Sequence, residues 1–467
     1  MSETKSAAKE LKEKLFLDPK HAALRMEEKD VKEAFSFCDP YKEFLDAAKT
    51  EREAVKTGVK LLEEKGFRPF DPARKYLPGD KVYAVNRGKS LIAAVVGNEP
   101  IENGVRIAAA HIDSPRLDLK PRPVYEDAEL ALFKTHYYGG IKKYQWTAIP
   151  LALHGVIIDR NDRTIEVSVG EAEEDPVFCV TDLLPHLAAA QMKRTLAEGI
   201  KGEELNVLIG SLPFKDDEIS DKVKLNLLNL LFEKYGITES DFLSAELEIV
   251  PAFKAKDIGI DRSMVGAYGH DDRVCAYTAL QAILKTERPA KTSVLVLADK
   301  EEIGSDGNTG LKSAFLRYFI ADLAKPHGIE GRTVLSHSEC LSADVNAAFD
   351  PTFPDVAERK NTAYLNYGVV ITKYTGARGK SGTSDASAEF AGKVRNLLDR
   401  TGVIWQTGEL GKVDQGGGGT VAAYIANLNV DVIDLGVPVL SMHAPFEVVS
   451  KIDVYMAYRA FYEFFVY

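Results

Sequence analysis

Apolar runs of the buried type recur along the chain, and several of them end abruptly in residues that can bind metal. The run Val294–Ala298 is rich in β-branched and aliphatic residues, which is typical of a strand buried on both faces of a parallel sheet. The run is followed directly by four charged residues, Asp299–Glu302. Because ligands bind at the carboxyl ends of strands in open α/β sheets, we expect this turn to carry chemistry. A solvated acidic turn is the alternative, since glutamate is mostly exposed.

Four other segments repeat this pattern of an apolar run or glycine turn followed by a metal-binding side chain. The run VRIAAAH ends at His111, and VIDLGVPVLSMH ends at His443. Asp344 lies just beyond the run in TVLSHSECLSADVN, and Asp271 and Asp272 open the helical pattern VCAYTALQAIL. For Asp271 and Asp272, simple capping of the helix N-terminus is an alternative role. Five such segments together are hard to attribute to surface residues alone.

The combination of side chains predicts a pair of zinc ions. Imidazole and carboxylate groups both bind zinc, and a carboxylate can bridge two ions. The candidate ligands are His111, Asp271, Glu302, Asp344 and His443. Paired metals activate a water and polarise a carbonyl, so Glu301 is the natural general base. Asp113, two residues after His111, can orient that histidine.

Length and charge narrow the class of protein. At 467 residues the chain exceeds the usual size of a single core, so we expect two domains. The formal charge of −11, without a basic block, argues against nucleic acid or an anionic membrane as a partner. The four cysteines are scattered, no signal sequence opens the chain, and no apolar stretch is long enough to cross a membrane. We therefore expect a cytoplasmic protein.

The pattern of strands that end in possible ligands is interrupted in the middle of the chain, which predicts a domain split by an insertion. Residues 1–67 show helical spacing with a break near Asp39-Pro40, and short strands follow. Residues 114–250 lack strands that end in ligands; they contain a predicted hairpin around Arg160–Arg163, helices at 183–199 and 221–236, and an aromatic, glycine-punctuated stretch, Phe133–Trp146. We expect a catalytic domain built from residues 1–113 and 251–467, interrupted by an inserted domain at 114–250.

The motifs resemble those of the aspartyl aminopeptidase family of dinuclear-zinc metallopeptidases. Matching segments run along nearly the whole chain: His111-Ile112-Asp113-Ser114-Pro115, the Asp271 turn, Glu301-Glu302-Ile303-Gly304-Ser305, Ser342-Ala343-Asp344 and Ser441-Met442-His443. The resemblance implies that Asp271 bridges the two metals. It also implies that His111 and Asp344 complete one site, that Glu302 and His443 complete the other, that Glu301 is the base and that Asp113 orients His111.

The resemblance further implies an architecture and an assembly. The fold would be α/β, with a mixed-sheet catalytic domain in an α/β/α sandwich and a β-rich inserted dimerisation domain. The assembly would be a tetrahedral homo-dodecamer built from dimers, with active sites facing an internal chamber. Pro185-His186-Leu187-Ala188 matches a family motif whose histidine reaches the active site of a neighbouring subunit. An ordinary histidine at the start of a helix is the alternative for His186.

Two departures from the family pattern bear on substrate choice. The bridging turn reads Gly-His-Asp-Asp-Arg rather than Arg-Leu-Asp-Asn, and the segment Thr375–Asp385 differs from the usual sequence near the side-chain pocket. Acidic substrates need a cation there, because an unpaired buried carboxylate is costly. Lys373, Arg378 and Lys380 are the candidates. We expect acidic N-terminal residues to be preferred, with neutral residues such as leucine as the alternative.

The leading hypothesis is therefore a zinc-dependent aminopeptidase that removes N-terminal residues from peptides. Cobalt or manganese could replace zinc as the native metal. The alternatives are an aminopeptidase of neutral or broad specificity, a zinc carboxypeptidase or deacylase on a related fold, and a catalytically silent assembly protein.

Overall fold

The computed structural model describes residues 6–216, 218–376 and 378–467. Residues 1–5 of the predicted N-terminal helical region and Ala377 of the segment Thr375–Asp385 lie outside the described residues. Helices of the described part are α1 (Ala7–Leu15), α2 (Glu28–Ala47), α3 (Glu51–Glu64), α4 (Lys222–Tyr235), α5 (His270–Lys285), α6 (Phe315–Ala324), α7 (Gly331–Ser336), α8 (Ala388–Thr401), α9 (Ala422–Ala426) and α10 (Lys451–Val466). None of these described helices combines the length and apolar character that a membrane crossing requires.

The first ten strands of the described part lie between α3 and α4, the later strands are interspersed with helices, and together they form several sheets. They are β1 (Arg68–Pro69), β2 (Lys81–Asn86), β3 (Ser90–Val95), β4 (Arg106–His111), β5 (Arg116–Asp127), β6 (Leu130–Tyr138), β7 (Leu151–Ile158), β8 (Thr164–Val169), β9 (Cys179–Val180), β10 (Val207–Gly210), β11 (Ala245–Pro251), β12 (Lys256–Ile258), β13 (Met264–Ala267), β14 (Ser293–Ala298), β15 (Glu339–Ser342), β16 (Asn346–Ala347), β17 (Val369–Thr372), β18 (Trp405–Thr407), β19 (Asp431–Gly436), β20 (Pro438–Leu440) and β21 (Glu447–Ser450). The mixed α/β class expected from the sequence is confirmed.

The largest sheet has the strand order β1-β2-β3-β14-β4-β15-β19-β17-β18 among the described residues. Its centre is parallel, since β14, β4, β15 and β19 run in one direction, whereas β3 and β17 run antiparallel to β14 and β19. Every residue of β3, β4 and β14 is buried. The prediction of buried strands from the apolar runs that end at His111 and Ala298 is confirmed for β4 and β14.

Helices pack on both faces of this sheet. In β14, Leu295 and Leu297 belong to a core cluster with residues of α2, α3, α5, α8 and α10. Val294 and Val296 belong to a second cluster, with residues of α6, α7 and α9. Successive strand residues point to opposite faces, so a strand covered on both sides must be apolar at every position.

A separate antiparallel sheet, β8-β7-β11-β5-β6-β10-β9, is formed entirely by residues between Arg116 and Pro251. It has its own apolar cluster, against which Leu227, Leu228 and Leu231 of α4 pack. The predicted hairpin is confirmed as β7 paired with β8, and the predicted helix at 221–236 is confirmed as α4. A third sheet has the order β12-β13-β21-β20-β16.

Two local predictions are wrong. Helix α2 continues through Pro40 instead of breaking there, and buried Tyr41 and Phe44 extend its packed face beyond the proline. The segment 183–199 forms turns and a single 3-10 turn, Gln191–Lys193, rather than an α-helix. Its leucines are exposed, so a helix there would have no packed apolar face, and such packing provides most helical stability in proteins.

The carboxyl ends of three neighbouring strands lie at one edge of the large sheet. His111 is the last residue of β4 and is in register with Ala298, the last residue of β14. Glu301 and Glu302 begin the 3-10 turn that follows β14, and Asp344 lies two residues beyond β15. The parallel pairing therefore brings residues from distant parts of the chain to the same edge.

Candidate metal centre

The five predicted metal ligands meet at this edge, with Asp271 in the middle. Its Oδ1 lies 3.1 Å from His111 Nε2, and its Oδ2 lies 3.1 Å from His443 Nε2. Asp344 Oδ1 is 3.8 Å from His111 Nε2, and Glu302 Oε1 is 3.6 Å from His443 Nε2. The donor atoms thus form two triads, each with all atoms within 4.8 Å: His111–Asp271–Asp344 and Asp271–Glu302–His443.

The two adjacent glutamates differ in their surroundings. Together with His111 the two glutamates form a third group of donor atoms within 4.8 Å of one another, and Glu301 Oε2 lies 3.9 Å from His111 Nε2. The side chain of Glu302 is only 3% exposed, whereas that of Glu301 is 18% exposed. Glu301 is therefore the carboxylate that a molecule entering the centre can reach more easily.

Both histidines are oriented by backbone carbonyl groups. His111 Nδ1 lies 3.0 Å from the carbonyl oxygen of Asp113, and His443 Nδ1 lies 2.8 Å from that of Gly140. A carbonyl only accepts, so in each ring Nδ1 carries the donated hydrogen. The Nε2 atoms of both rings are thereby directed toward Asp271, which is the arrangement expected of metal-binding histidines.

Asp113 holds the turn that carries the glutamate pair. Its Oδ1 accepts the backbone N–H of Glu301, and its Oδ2 accepts that of Glu302, both at 3.1 Å. The hydroxyl of Tyr138 donates to Oδ2 at 2.8 Å. The sequence suggested only a contact with His111, whose Nδ1 lies 3.4 Å from Asp113 Oδ1. The carboxylate therefore connects β4 to the turn after β14.

Burial dominates the electrostatics of the centre. It raises the pKa of Glu301 to about 7, with His111 opposing the shift and Asp271 adding to it. Burial also raises the pKa values of Glu302 and Asp344 well above their usual range. For Asp271 the cost of burial is outweighed by hydrogen bonds with the histidines, so its pKa lies below the usual range. The centre concentrates carboxylates in a site that favours positive charge.

The residues present fit zinc. Glu302 Oε1 is buried and has no hydrogen-bond partner among the described residues. Burial disfavours the charged form of His443. The hydrogen bond to Asp271 and the nearby Glu302 outweigh this effect and raise the pKa of His443 to about 10. A buried carboxylate requires a partner, and imidazole and carboxylate donors are those that zinc prefers. A divalent cation would satisfy the orphaned oxygen.

Glu447 is a further residue of the centre that sequence reasoning missed. It is buried, its Oε2 accepts the N–H of Asp271 at 3.0 Å and its Oε1 accepts the N–H of His443 at 2.7 Å. Ser114 also contributes, because its hydroxyl donates to the carbonyl oxygen of Asp271 at 2.5 Å. The available signal was an acidic residue four positions after His443, directly before the apolar pair Val448-Val449.

Two other sequence predictions are not brought to the centre. His186 lies in an exposed turn of the 114–250 segment and forms no hydrogen bond or ion pair with the centre within the described part of the chain. Lys380 pairs with Asp385 at 2.9 Å, and its Nζ lies 3.8 Å from the centroid of the Tyr374 ring. Lys380 is therefore engaged locally rather than projecting as an isolated cation.

The chain matches known proteins over nearly its whole length. Residues 44–465 match the Aminopeptidase I zinc metalloprotease (M18) family. The probable M18 family aminopeptidase 1 of Clostridium acetobutylicum is 51% identical over 449 residues, which cover 94% of this chain and 97% of that protein. The crystal structure of aminopeptidase I from Clostridium acetobutylicum has a TM-score of 0.92 at 48% identity and covers 97% of this chain and 100% of that chain.

A more distant match extends the similarity of the fold. The structure of the S. cerevisiae mApe1 dodecamer has a TM-score of 0.75 at 22% identity and covers 92% of this chain and 96% of that chain. The resemblance seen in the motifs is thus confirmed by the family match and by close relatives. The chain belongs to the M18 family of zinc metalloproteases and is an aminopeptidase.

Proposed function

We propose that this aminopeptidase binds two zinc ions and uses a glutamate base to hydrolyse the N-terminal residue of peptides. His111, Asp271 and Asp344 would hold one ion, and Asp271, Glu302 and His443 would hold the other. The observation that carries this proposal is the carboxylate of Asp271, whose two oxygens each lie 3.1 Å from a different histidine. One carboxylate directed at two ligand sets is what a bridged pair of metals requires. Cobalt or manganese are the alternative ions.

The chemistry divides between the ions and the chain. When bound, zinc polarises a carbonyl and lowers the pKa of a water molecule. Glu301 is proposed to accept a proton from the attacking water and to deliver it to the leaving amine. Its position supports this role, because it is the more exposed carboxylate and lies 3.9 Å from His111 Nε2. Asp113 orients His111 and holds the backbone of Glu301 during these transfers.

For substrate choice we propose a preference for acidic N-terminal residues. Lys373 lines a cavity of about 460 Å³ together with Arg395 and Trp405. The preceding Thr372 accepts a hydrogen bond at 2.9 Å from Asn346, in the segment that follows β15. The residue before Lys373 is thus hydrogen-bonded to a residue two positions after the proposed ligand Asp344, and the two cations of the cavity could pair with a substrate carboxylate.

One observation favours the alternative of neutral or broad specificity. Lys380 is already paired with Asp385, so the segment Thr375–Asp385 offers one fewer cation than its sequence suggests. The choice between these specificities therefore depends on the two cations of the cavity, Lys373 and Arg395.

We also propose how the chain is organised and assembled. Residues 1–113 and 251–467 would form one α/β/α catalytic domain, and residues 114–250 would form an inserted dimerisation domain. The separate core of the antiparallel sheet supports this division. A homo-oligomer built from dimers is proposed from the resemblance and from the dodecamer reported for the yeast relative. A cytoplasmic location is supported by the free cysteines, which suit a reducing compartment.

Metal analysis combined with a substrate panel tests this proposal. We expect about two zinc ions per chain, release of residues from the amino end of a peptide ladder, and faster hydrolysis of Asp and Glu amides than of Leu and Ala amides. Release from the carboxyl end would instead indicate a carboxypeptidase. A tenfold preference for Leu, about 1.4 kcal/mol of transition-state discrimination, would reject the acidic pocket. Bound zinc without turnover on any substrate would indicate a silent assembly protein.

A further inference from the structure

The segment Tyr138-Gly139-Gly140 connects the antiparallel sheet to the candidate metal centre. Tyr138 is the last residue of β6 and is in register with Arg116 of β5. It belongs to the aromatic, glycine-punctuated stretch Phe133–Trp146, to which the proposed function assigns no role. Beyond Tyr138 the chain leaves the sheet and contacts both halves of the centre.

On one side, Tyr138 fixes the carboxylate that supports the glutamate turn. Its hydroxyl donates to Asp113 Oδ2 at 2.8 Å. The same carboxylate accepts the N–H groups of Glu301 and Glu302, and it lies 3.4 Å from His111 Nδ1. A single hydroxyl therefore restrains the proposed base, one proposed ligand from the same turn and one proposed histidine ligand.

On the other side, the two glycines contact the second half of the centre. The carbonyl oxygen of Gly140 accepts a hydrogen bond from His443 Nδ1 at 2.8 Å, which directs Nε2 toward Asp271. A Cβ atom on Gly139 would lie 3.0 Å from Glu302 Oε2 and 3.3 Å from Glu302 Cβ. Gly139 also has a φ of +74°, which L side chains rarely adopt. A side chain at Gly139 would therefore press against Glu302 and strain the backbone.

The sheet holds Tyr138 firmly. The guanidinium carbon of Arg116 lies 3.9 Å from the centroid of the Tyr138 ring. Arg116 is itself buried and pairs with Asp118 of β5 at 2.8 Å and with Glu248 of β11 at 3.2 Å. The tyrosine is thus anchored to two neighbouring strands of the antiparallel sheet.

We propose that Tyr138-Gly139-Gly140 is a positioning segment through which the antiparallel sheet sets the geometry of the metal centre. Tyr138 restrains the glutamate turn through Asp113, while the Gly140 carbonyl restrains His443. The inference rests on the proposed function, since the groups being positioned are its ligands and its base. The inference adds that zinc affinity depends on Tyr138, which belongs to the antiparallel sheet rather than to the large sheet.

The first test removes only the hydroxyl of Tyr138. We expect Tyr138→Phe, studied as the full zinc-loaded chain, to bind zinc about tenfold more weakly in competition with a chelator, the lower end of the loss seen when a direct partner of a ligand is removed, because Tyr138 acts through Asp113. Amide hydrogen exchange at Glu301 and Glu302 should become faster, with exchange in β8 unchanged. The matched control is Tyr137→Phe, which alters the exposed neighbouring tyrosine and should leave both measurements as in wild type.

The second test compares Gly139 with a control glycine of similar backbone conformation, Gly236. Gly139→Ala places a methyl group against Glu302 and should weaken zinc binding by tenfold or more. The control is Gly236→Ala, because Gly236 has a φ of +71° and no atom of the described residues lies within 4 Å of an added methyl group; zinc affinity should stay within about twofold of wild type. This pair decides the question if Tyr138→Phe does not fold.

The outcomes separate this inference from the proposed function. Wild-type zinc affinity and exchange in both Tyr138→Phe and Gly139→Ala would overturn the positioning role while leaving a zinc aminopeptidase in place. A wild-type chain that binds no zinc would overturn the proposed function. In that case the exchange rates at Glu301 and Glu302 would still report whether Tyr138 restrains the turn.

Discussion

The carboxylate of Glu447 holds the backbone of His443, since its Oε1 accepts the N–H of that residue at 2.7 Å. The other oxygen, Oε2, accepts the N–H of Asp271 at 3.0 Å. One buried carboxylate therefore fixes two chain segments that each carry a proposed ligand. A carboxylate is suited to this position because both of its oxygens only accept hydrogen bonds.

Replacing this carboxylate by an amide is expected to weaken the metal centre. In Glu447→Gln one side of the group becomes a donor that faces a backbone N–H, so one segment loses its acceptor. We expect zinc affinity to fall about 10–100-fold, as measured by chelator competition. Glu389→Gln, at an exposed position in the first turn of α8, is the matched control. Equal affinities in the two variants would show that Glu447 does not support the ligands.

The bridging assignment predicts unequal metal loss in two aspartate variants. Asp271 is shared by both triads, whereas Asp344 belongs to one. We therefore expect Asp271→Ala to lose more zinc than Asp344→Ala when metal content is measured after identical dialysis. Retention of two ions per chain in Asp271→Ala would contradict the bridge.

The adjacent glutamates are expected to respond differently to the same substitution. Glu301→Gln should keep both zinc ions while its kcat falls by about 10²–10⁴-fold, the usual contribution of general acid–base catalysis. Glu302→Gln should lose zinc, because the neutral amide is a weaker ligand. Metal content and kcat measured on the same samples distinguish the roles. Metal loss in Glu301→Gln together with full occupancy in Glu302→Gln would reverse the assignment.

His186 is expected to act on a neighbouring subunit. It is exposed in its own chain and belongs to a turn of the 114–250 segment. His186→Ala and Glu301→Gln chains should each be inactive, and co-expressed mixed oligomers should regain part of the activity because some sites then combine two intact residues. The measurement is kcat of oligomers isolated through a different tag on each chain. Mixed oligomers that form but remain inactive would reject the role in trans.

An ion-pair cluster between the N-terminal helices and the antiparallel sheet predicts a pH-dependent stability. Glu171 pairs with Lys49 at 2.6 Å, with Lys254 at 2.5 Å and with His154 at 3.0 Å. Burial opposes its ionisation, but His154 and the two lysines together lower the pKa of Glu171 to about 2. The folded pKa lies below the unfolded value of 4.5, so this stabilisation is present above pH 4.5 and is lost as the pH falls toward 2.

We therefore expect Glu171→Gln to lower the free energy of unfolding by about 1–2 kcal/mol at pH 6, after allowance for solvent screening. The difference from wild type should shrink below pH 4.5. Denaturant unfolding of chelator-treated protein at pH 6 and pH 3.5 measures this without a contribution from metal release. Glu166→Gln is the control, because Glu166 pairs with Lys56 at an exposed position and should change stability by less than about 0.5 kcal/mol. A pH-independent difference for Glu171→Gln would contradict the pKa argument.

Much of the fold and most of the centre could be predicted from local sequence patterns. Strands β4 and β14 are buried on both faces, so they are continuous apolar runs, and the polar residues at their ends stand out. Tyr138 and Glu447 could not be found in this way. Their partners Asp113 and Asp271 lie 25 and 176 positions away, so only strand pairing and packing define these contacts.

The order in which the ligands occur along the chain has a consequence for synthesis. His111 and His443 lie 332 positions apart, and the remaining proposed ligands fall between them. At 5–20 residues per second, a ribosome needs roughly 20–60 s to travel from the first histidine to the second. During that interval the nascent chain lacks His443, so under the proposed ligand assignment it cannot act on neighbouring nascent chains before that residue has been synthesised.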